Sequence, residues 1–537
     1  MPIPLPLKHA PRPTVAAITA QDLMTRLYIF ADDSMQGREA GTIGNVKGTE
    51  YIASEIRKMG LIPAGDSGTY FQTLPFKTRS VDPASTLTVS GAPLTFGADW
   101  VVSGGKPVTL AEAPVIFGGV AGDTSKMIAP GVAAGKIVVL LFRPPALIPP
   151  ERVKDAAALI LVGIDQFMPF IARPATYVDD PTNPPAARQG GAIILSTGAA
   201  SKLFDVPLAQ LTAGTAGRPL AASIKVQNEP VAFPARNVVG IVPGSDPALQ
   251  GQYVAIGAHN DHVGLQPVAV DHDSVRFFTH IVRPQGAEQS GKQATPDEQA
   301  WVNRELARWR ATHPNSSRPD SIANGADDDG SGSVSVLEIA QKIAASKTRP
   351  KRSMLFVWHV GEEKGLLGSA WFTDHPTVPR DSIVAQLNID MIGRGDAWDV
   401  TGETKDGTVI HGSPNYVQLI GSRRLSTEMG NLVETVNTQG HHGLQFDYSL
   451  DANGHPANIY CRSDHYEYAR YGIPITFFTT GGHSDYHQVT DEPQYIDYHH
   501  MARVAELVGD VAVHIGNLDH RLVVDQPKPD PKGACRQ

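Results

Sequence analysis

Apolar positions recur at two periods along this chain, and the switch between them divides it. Leu23, Leu27 and Phe30 stand at helical spacing and predict an amphipathic helix from Thr19. A second helix is predicted over 46–59, stopped at Gly60. From residue 235 onward short apolar runs alternate with helical patterns. The runs at 253–258, 354–359, 383–390 and 475–480 predict buried strands, the last opening just after Pro474. Helices are predicted over 333–345 and 499–515. This alternation predicts an α/β fold: an open, mostly parallel (mixed) sheet flanked by helices, with sites beyond the carboxyl ends of its strands.

Residues 80 to about 235 differ. Short β-rich runs at 136–142, 157–162 and 191–196 alternate with joints such as Pro144-Pro145 and Pro149-Pro150, the pattern of an inserted β-rich domain. The expected organisation is an extended, proline-rich segment over 1–18, an α/β domain over 19–80 and 235–520, the inserted domain over 81–234, and a tail over 521–537. The polar stretch 268–318 breaks the α/β rhythm, with a helix predicted at 296–312. A connection of that length inside a compact domain is either functional or disordered. Its roots flank His259 and Asp328, two candidate metal ligands, so a partial lid is expected, carrying the apolar residues Trp301, Leu306 and Trp309. The segment G-R-E-A-G-T-I-G at 37–44 lacks the Lys-Ser/Thr ending of a nucleotide loop and is expected to be a structural turn.

Composition narrows the partners. Charged residues make up 19% of the 537 and hydrophobic residues 41%, and the net charge is −9. That balance argues against nucleic acid or an anionic membrane as partner. No run of 18 apolar residues is present to span a bilayer. The N-terminus has no basic region leading into an apolar core, so the expectation is a cytoplasmic protein or a mature form. Cys461 and Cys535 are the only cysteines, and sequence leaves open whether they pair.

Five metal-ligand side chains fall at or near predicted strand ends: His259, Asp328, Glu363, Asp390 and His487. Two imidazoles and three carboxylates suit a pair of zinc ions sharing one carboxylate, with the adjacent Glu362 free to act as base. Each has a plainer reading alone: His259 as a strand end, the triplet Asp327-Asp328-Asp329 as a solvated helix cap, His487 as a surface histidine. Two carboxylates after an apolar strand (Glu362, Glu363) and a lone acid ending another (Asp390) are costly unless partnered. Asp261, two residues beyond His259, suits the carboxylate that holds a ligating imidazole's tautomer. The other histidines, His262, His359, His465 and His483, are expected to be structural or supporting, His465 foremost. Serine or cysteine hydrolysis fits poorly: no G-x-S-x-G elbow occurs, and Cys461 has no obvious helix N-terminus.

With these motifs in order (G-A-H-N-D-H, N-G-A-D-D-D-G-S-G, G-E-E-K-G, N-I-D-M and Y-H-Q-V-T-D), the chain resembles the co-catalytic di-zinc aminopeptidases related to bacterial leucyl aminopeptidase. The wider clan includes glutamate carboxypeptidase and transferrin receptor. The resemblance implies a zinc exopeptidase domain of the phosphorylase/hydrolase-like type, and a protease-associated domain in the insertion, most similar over about 95–230. It implies two zinc ions per chain, one held by His259 and Asp390, the other by Glu363 and His487, with Asp328 bridging. Glu362 would activate a zinc-bridging water, Asp261 would orient His259, and the Asp328–Asp329 peptide would be cis. Tyr460, three residues before S-D-H, would hydrogen-bond the oxyanion. The expected activity is removal of N-terminal residues from short peptides. Alternatives are a carboxypeptidase or dipeptidase using Arg462 or Arg394, a glutaminyl cyclase-like transferase, and a non-catalytic receptor. Resemblance favours a secreted or periplasmic location and leaves oligomeric state open. One departure is the 69 positions between His259 and Asp328, longer than in many relatives.

Overall fold

The computed structural model describes residues 4–104, 107–143, 146–181, 192–204, 206–314 and 316–537. Pro144, Pro145 and Gly191, which belong to the joints and runs of the inserted domain, lie outside the described residues. The chain forms two compact units, one of residues 1–74 and 232–537, the other of 75–231.

The larger unit is built on a mixed sheet whose centre is parallel. Four strands, Ser353–His359, Tyr253–His259, Ile383–Ile389 and Ile475–Thr479, lie side by side in that order and run the same way. Every residue of Ser353–His359 and of Ile383–Ile389 is buried. That is why 354–358 is an unbroken apolar run and why Ile383–Ile389 is mostly apolar, its Gln386 and Asn388 being buried polar residues. Antiparallel strands close the flanks, Ala235–Val242 against Ser353–His359 and Tyr416–Ile420 against Ile475–Thr479. On one face the helices Ala20–Phe30, Gly332–Ala345 and Tyr498–Asn517 supply the main core, with Leu23, Leu27, Leu337 and Val508 among its members. Thr19 caps the first of them by accepting the Asp22 amide at 3.0 Å. The opposite face is packed by Phe372, Tyr460, Tyr468 and Phe477.

Register decides where the loops leave the sheet. His259 pairs with His359 across neighbouring parallel strands, so those two strands end level. Chain leaving the sheet at 259–262, 360–363 and 390–394 therefore emerges on one edge, where open α/β sheets place their sites.

The described residues of the stretch 268–318 form regular secondary structure. Gly264–Asp271 pairs antiparallel with Pro319–Ala323, and the helices His272–Val282 and Pro296–Thr312 stand between them as a hairpin. Thr295 and Glu298 form a reciprocal capping box at the second helix. Phe277, Val282 and Val302 make a small core, packed by Leu306 and Trp309, while Trp301 stays exposed.

The smaller unit contains an eight-stranded mixed sheet, with Val108–Val120, Ile137–Leu141, Ala158–Val162 and Ala192–Leu195 parallel at its centre, plus a three-stranded sheet. Its core includes Trp100, Phe117, Ile160 and Leu220. None of the five candidate ligands belongs to it.

Cys461 and Cys535, left open by sequence, form a disulfide with Cα atoms 5.8 Å apart. It fastens the tail beneath the segment 458–461, where the Gln537 side-chain oxygen also accepts the Tyr460 amide at 3.0 Å.

Candidate metal centre and cleft

All five candidate ligands converge on that sheet edge. His259 is the last residue of its strand, Glu362 and Glu363 follow Ser353–His359 by three and four residues, and Asp390 follows Ile383–Ile389 directly. Asp328 precedes the buried helix Gly332–Ala345, and His487 comes in on the loop after Ile475–Thr479. Two groups result whose ligand atoms lie within 4.8 Å of one another: His262, Asp328, Glu363 and His487, and His259, Asp329 and Asp390.

Asp328 faces both. One carboxylate oxygen lies 3.1 Å from His259 Nε2, and the other lies 2.9 Å from His487 Nε2. His259 Nε2 is also 3.6 Å from Asp390, and His487 Nε2 is 3.1 Å from Glu363. Burial disfavours charge on His259, but Asp390, Asp328 and Glu362 outweigh it and hold the imidazole well above its usual range. Buried polar atoms should be hydrogen-bonded. Here His259 Nε2, His487 Nε2, one oxygen each of Asp328 and Glu363, and both ring nitrogens of His262 are buried and crowd against one another without forming a hydrogen bond. A donor set of imidazoles and carboxylates left orphaned in this way fits divalent cations.

The two adjacent glutamates differ. The Glu363 side chain is 6% exposed and engaged by His262 at 2.8 Å and His487 at 3.1 Å. Burial and Asp328 push its carboxyl up, but His487 and His262 prevail and bring it to about 2. Glu362 instead lines an open cleft of about 380 Å³ together with Asp328 and Asp390, and its nearest ionic neighbour is His259, at 4.0 Å. Burial, reinforced by Asp390, Glu363 and Asp464, pushes the Glu362 carboxyl well above the usual carboxylate range.

Supporting groups fix these positions. Asp390 accepts the Ser463 hydroxyl at 2.6 Å, and Asn388 donates to the same hydroxyl at 2.9 Å. Asp491 accepts the amides of Asp327 and Asp328. The Asp328–Asp329 peptide is cis, as the resemblance implies. Asp329 is spent on backbone, accepting the amides of His259, Gly332 and Met391.

Two expectations need correction. The Asp261 carboxylate does not reach the His259 ring closely: its oxygen is 3.9 Å from Nδ1, while the Asp261 main-chain carbonyl is 3.1 Å away. The side chain instead accepts the amides of Gly361 (2.7 Å) and Glu362 (3.3 Å), so it anchors the glutamate loop. Tyr460 is not brought to the cleft. It is 4% exposed and packed against Tyr466 and His465, under the Arg424 guanidinium, because the short helical turn Ile459–Cys461 points it into the core. The tyrosine that does line the cleft is Tyr486, stacked on His487 with ring centroids 4.0 Å apart. Its signal was adjacency to a ligand in Y-H-Q. His262 was likewise missed as a member of the centre, although G-A-H-N-D-H displays it.

Arg38 was hidden inside the glycine-rich segment. Its buried guanidinium donates to the carbonyls of Phe30 (3.1 Å), Asn324 (2.6 Å) and Gly325 (2.8 Å), the last two separated from the aspartate triplet by Ala326 alone. Burial lowers it to about 10, against the pull of Asp491, Asp329 and Asp261. Arg38→Met should leave three buried carbonyls without that donor and cost on the order of 3 kcal/mol. Denaturant unfolding and bound metal per chain, both expected to fall together, check this.

A third cluster, His272, Asp320 and Glu492, is an ion-pair network: Glu492 already pairs with Arg318 and with His272, the latter at 2.9 Å.

Comparison with known proteins bears on the family and the fold. Residues 311–512 match peptidase family M28. The chain is 38% identical over 98 residues to a probable leucine aminopeptidase of Arthroderma benhamiae, covering 17% of this chain and 27% of that protein. It is 31% identical over 198 residues to leucine aminopeptidase 1 of Paracoccidioides brasiliensis, covering 35% and 46%. The chain thus spans between about a quarter and a half of the length of these curated relatives. An aminopeptidase from Aneurinibacillus sp. strain AM-1 superposes with a TM-score of 0.52 at 16% identity, over 95% of this chain and 97% of that one, a likeness of fold. The fold and the ligand geometry define a candidate metal centre at the edge of an α/β sheet. The match to peptidase family M28 is confined to residues 311–512, which carry Asp328, Glu362, Glu363, Asp390 and His487.

Proposed function

We propose that the protein is a zinc-dependent aminopeptidase that removes N-terminal residues from short peptides. The observation that carries this is Asp328, which offers one oxygen to each of two imidazole–carboxylate groups beside a cleft into which Glu362 alone of the paired glutamates opens. The relatives named leucine aminopeptidase support it. In this reading His259 and Asp390 hold one zinc ion, Glu363 and His487 the other, and Asp328 both.

The chemistry that zinc supplies when bound is Lewis-acid activation of a water and of the scissile carbonyl. Glu362 accepts the proton of the attacking water and returns it to the leaving nitrogen. Ser463 keeps Asp390 in place, and Asp261 holds the Gly361–Glu362 backbone. Tyr486 takes the role that sequence gave to Tyr460, donating its hydroxyl to the developing oxyanion. Met391, Leu450, Ile459 and Phe477 form an apolar part of the cleft that suits a side chain such as leucine. The smaller unit is the part of the chain that we read as a protease-associated domain.

A panel of free, N-acetylated and C-amidated peptides given to the zinc-loaded protein tests the reading. Peptides with a free amine should be shortened from that end and N-acetylated ones should resist. Cleavage of N-acetylated peptides from the carboxyl end would favour a carboxypeptidase instead. Arg394 gives that alternative no help, since it is committed to Asp485 at 2.8 Å and Asp399 at 3.1 Å.

The hairpin over 268–318 is proposed as a partial lid, because its tip residues Gln285, Glu288 and Gln289 line the same cleft as Glu362 and Asp390. Asp271 faces Pro319 across the ribbon, so a short Gly/Ser turn can replace 272–318. The shortened protein should gain on a decapeptide relative to a dipeptide. An unchanged kcat/KM ratio in a folded, zinc-replete variant would refute the lid.

A further inference from the structure

Two cations are among the described residues lining the cleft, Lys405 and Arg462. Lys405 donates to the Asn453 carbonyl at 2.8 Å on an exposed loop. Arg462 is placed differently. It immediately precedes Ser463, whose hydroxyl holds Asp390, so the backbone carrying the guanidinium is one residue from the metal centre. Its guanidinium is ion-paired with Glu288, a residue of the insertion.

Glu288 reaches this position because its turn is docked. The Ala287 amide donates to the Tyr486 carbonyl at 3.1 Å, and Gln285 donates to Glu403 at 3.3 Å. Gly286 permits the approach: a Cβ there would lie 2.6 Å from the Tyr486 carbonyl oxygen. The insertion therefore delivers a carboxylate to Arg462, the one arginine among the described residues that line the cleft with Glu362.

A guanidinium prefers carboxylates as partners and can bind them through two parallel hydrogen bonds. The Arg462 and Glu288 side chains are 39% and 41% exposed. A pair that open to solvent contributes only about 0–1 kcal/mol, so it exchanges readily for another carboxylate. An extended peptide spans at most about 3.5 Å per residue. A dipeptide with its amine at the metal centre thus carries its terminal carboxylate about two residue lengths away, within reach of a side chain as long as arginine's.

We propose that Arg462 receives the C-terminal carboxylate of the substrate, that Glu288 occupies it between turnovers, and that free dipeptides are the preferred substrates. This rests on the aminopeptidase reading and adds the substrate class and the residue that selects it.

The test compares kcat/KM for Leu-Leu and Leu-Leu-amide, with leucine p-nitroanilide as a reporter of aminopeptidase activity alone. The zinc-loaded wild type should favour the free dipeptide by roughly tenfold, mainly through KM, as expected for a charge-assisted pair. Arg462→Gln should bring the ratio near one, Arg462→Lys should leave an intermediate ratio, and Glu288→Gln should raise it by lowering KM for Leu-Leu. The same ratio in wild type and Arg462→Gln, or in wild type and Glu288→Gln, overturns the proposal. Should Arg462→Gln lose zinc, Arg462→Lys and the exposed Glu288→Gln still decide. Failure of the wild type on all three substrates would overturn the aminopeptidase reading itself, and this proposal with it.

Discussion

Glu362→Gln is expected to lower kcat by about 10²–10⁴-fold while metal content and thermal midpoint stay near wild type. The amide keeps the shape of the side chain but cannot accept a proton from the attacking water. Nothing else should change, because Glu362 faces the cleft and makes no short contact with the imidazoles: its nearest, to His259, is 4.0 Å. Glu363→Gln is expected to fail differently. That side chain sits 2.8 Å from His262 and 3.1 Å from His487, away from the cleft lining, so its loss should appear first as lowered metal occupancy. Excess zinc should then restore part of the Glu363→Gln rate and none of the Glu362→Gln rate. Metal per chain by mass spectrometry, alongside kcat with and without added zinc, separates the two. The reverse pattern would mean that base and ligand have been exchanged in this reading.

The elements that carry these residues were legible because their burial is written in one dimension. A parallel strand buried on both faces is dominated by apolar residues. The stretch 354–358 is a pure apolar run leading to His359, and Ile383–Ile389 is apolar apart from Gln386 and Asn388 and leads to Asp390. The helix predicted over 296–312 is observed as Pro296–Thr312, since Thr295, Pro296 and Glu298 mark its start locally. What sequence could not show is which polar residues face each other after folding. Arg38 supports the aspartate triplet from nearly 290 residues away, and only the packed sheet edge brings them together. Tyr460 and Tyr486 are both tyrosines near histidines in sequence, and burial of the first in the opposite-face core separates their roles. Asp261 was placed at the right loop with the wrong contact, because a main-chain carbonyl can do for His259 what a carboxylate was expected to do. The Cys461–Cys535 disulfide joins residues 74 apart, a separation that says nothing about proximity until the tail is folded beneath 458–461.

Asp328→Asn is expected to weaken both halves of the centre at once, with metal affinity falling more than about a hundredfold and activity falling with it. The carboxylate is the one group within 3.1 Å of both His259 Nε2 and His487 Nε2. Asparagine preserves the shape and leaves the Asp328 amide bound to Asp491, so backbone collapse is not the expected cause. It removes the charge and turns one of the two facing atoms into a donor, which cannot ligate a cation. The consequence for stability follows from linkage. In the wild type a chelator should lower the thermal midpoint, because the close-set carboxylates Asp328, Glu362, Glu363 and Asp390 lose the cations that offset their repulsion. A metal held at a hundred times its dissociation constant contributes about 2.7 kcal/mol to folding. Asp328→Asn should start from a lower midpoint in zinc and respond little to the same chelator, since little metal remains to remove. Thermal scans with and without chelator, with metal counted per chain, test this directly. An Asp328→Asn protein that still carries two zinc ions and still loses stability on chelation would show that Asp328 does not hold the centre together.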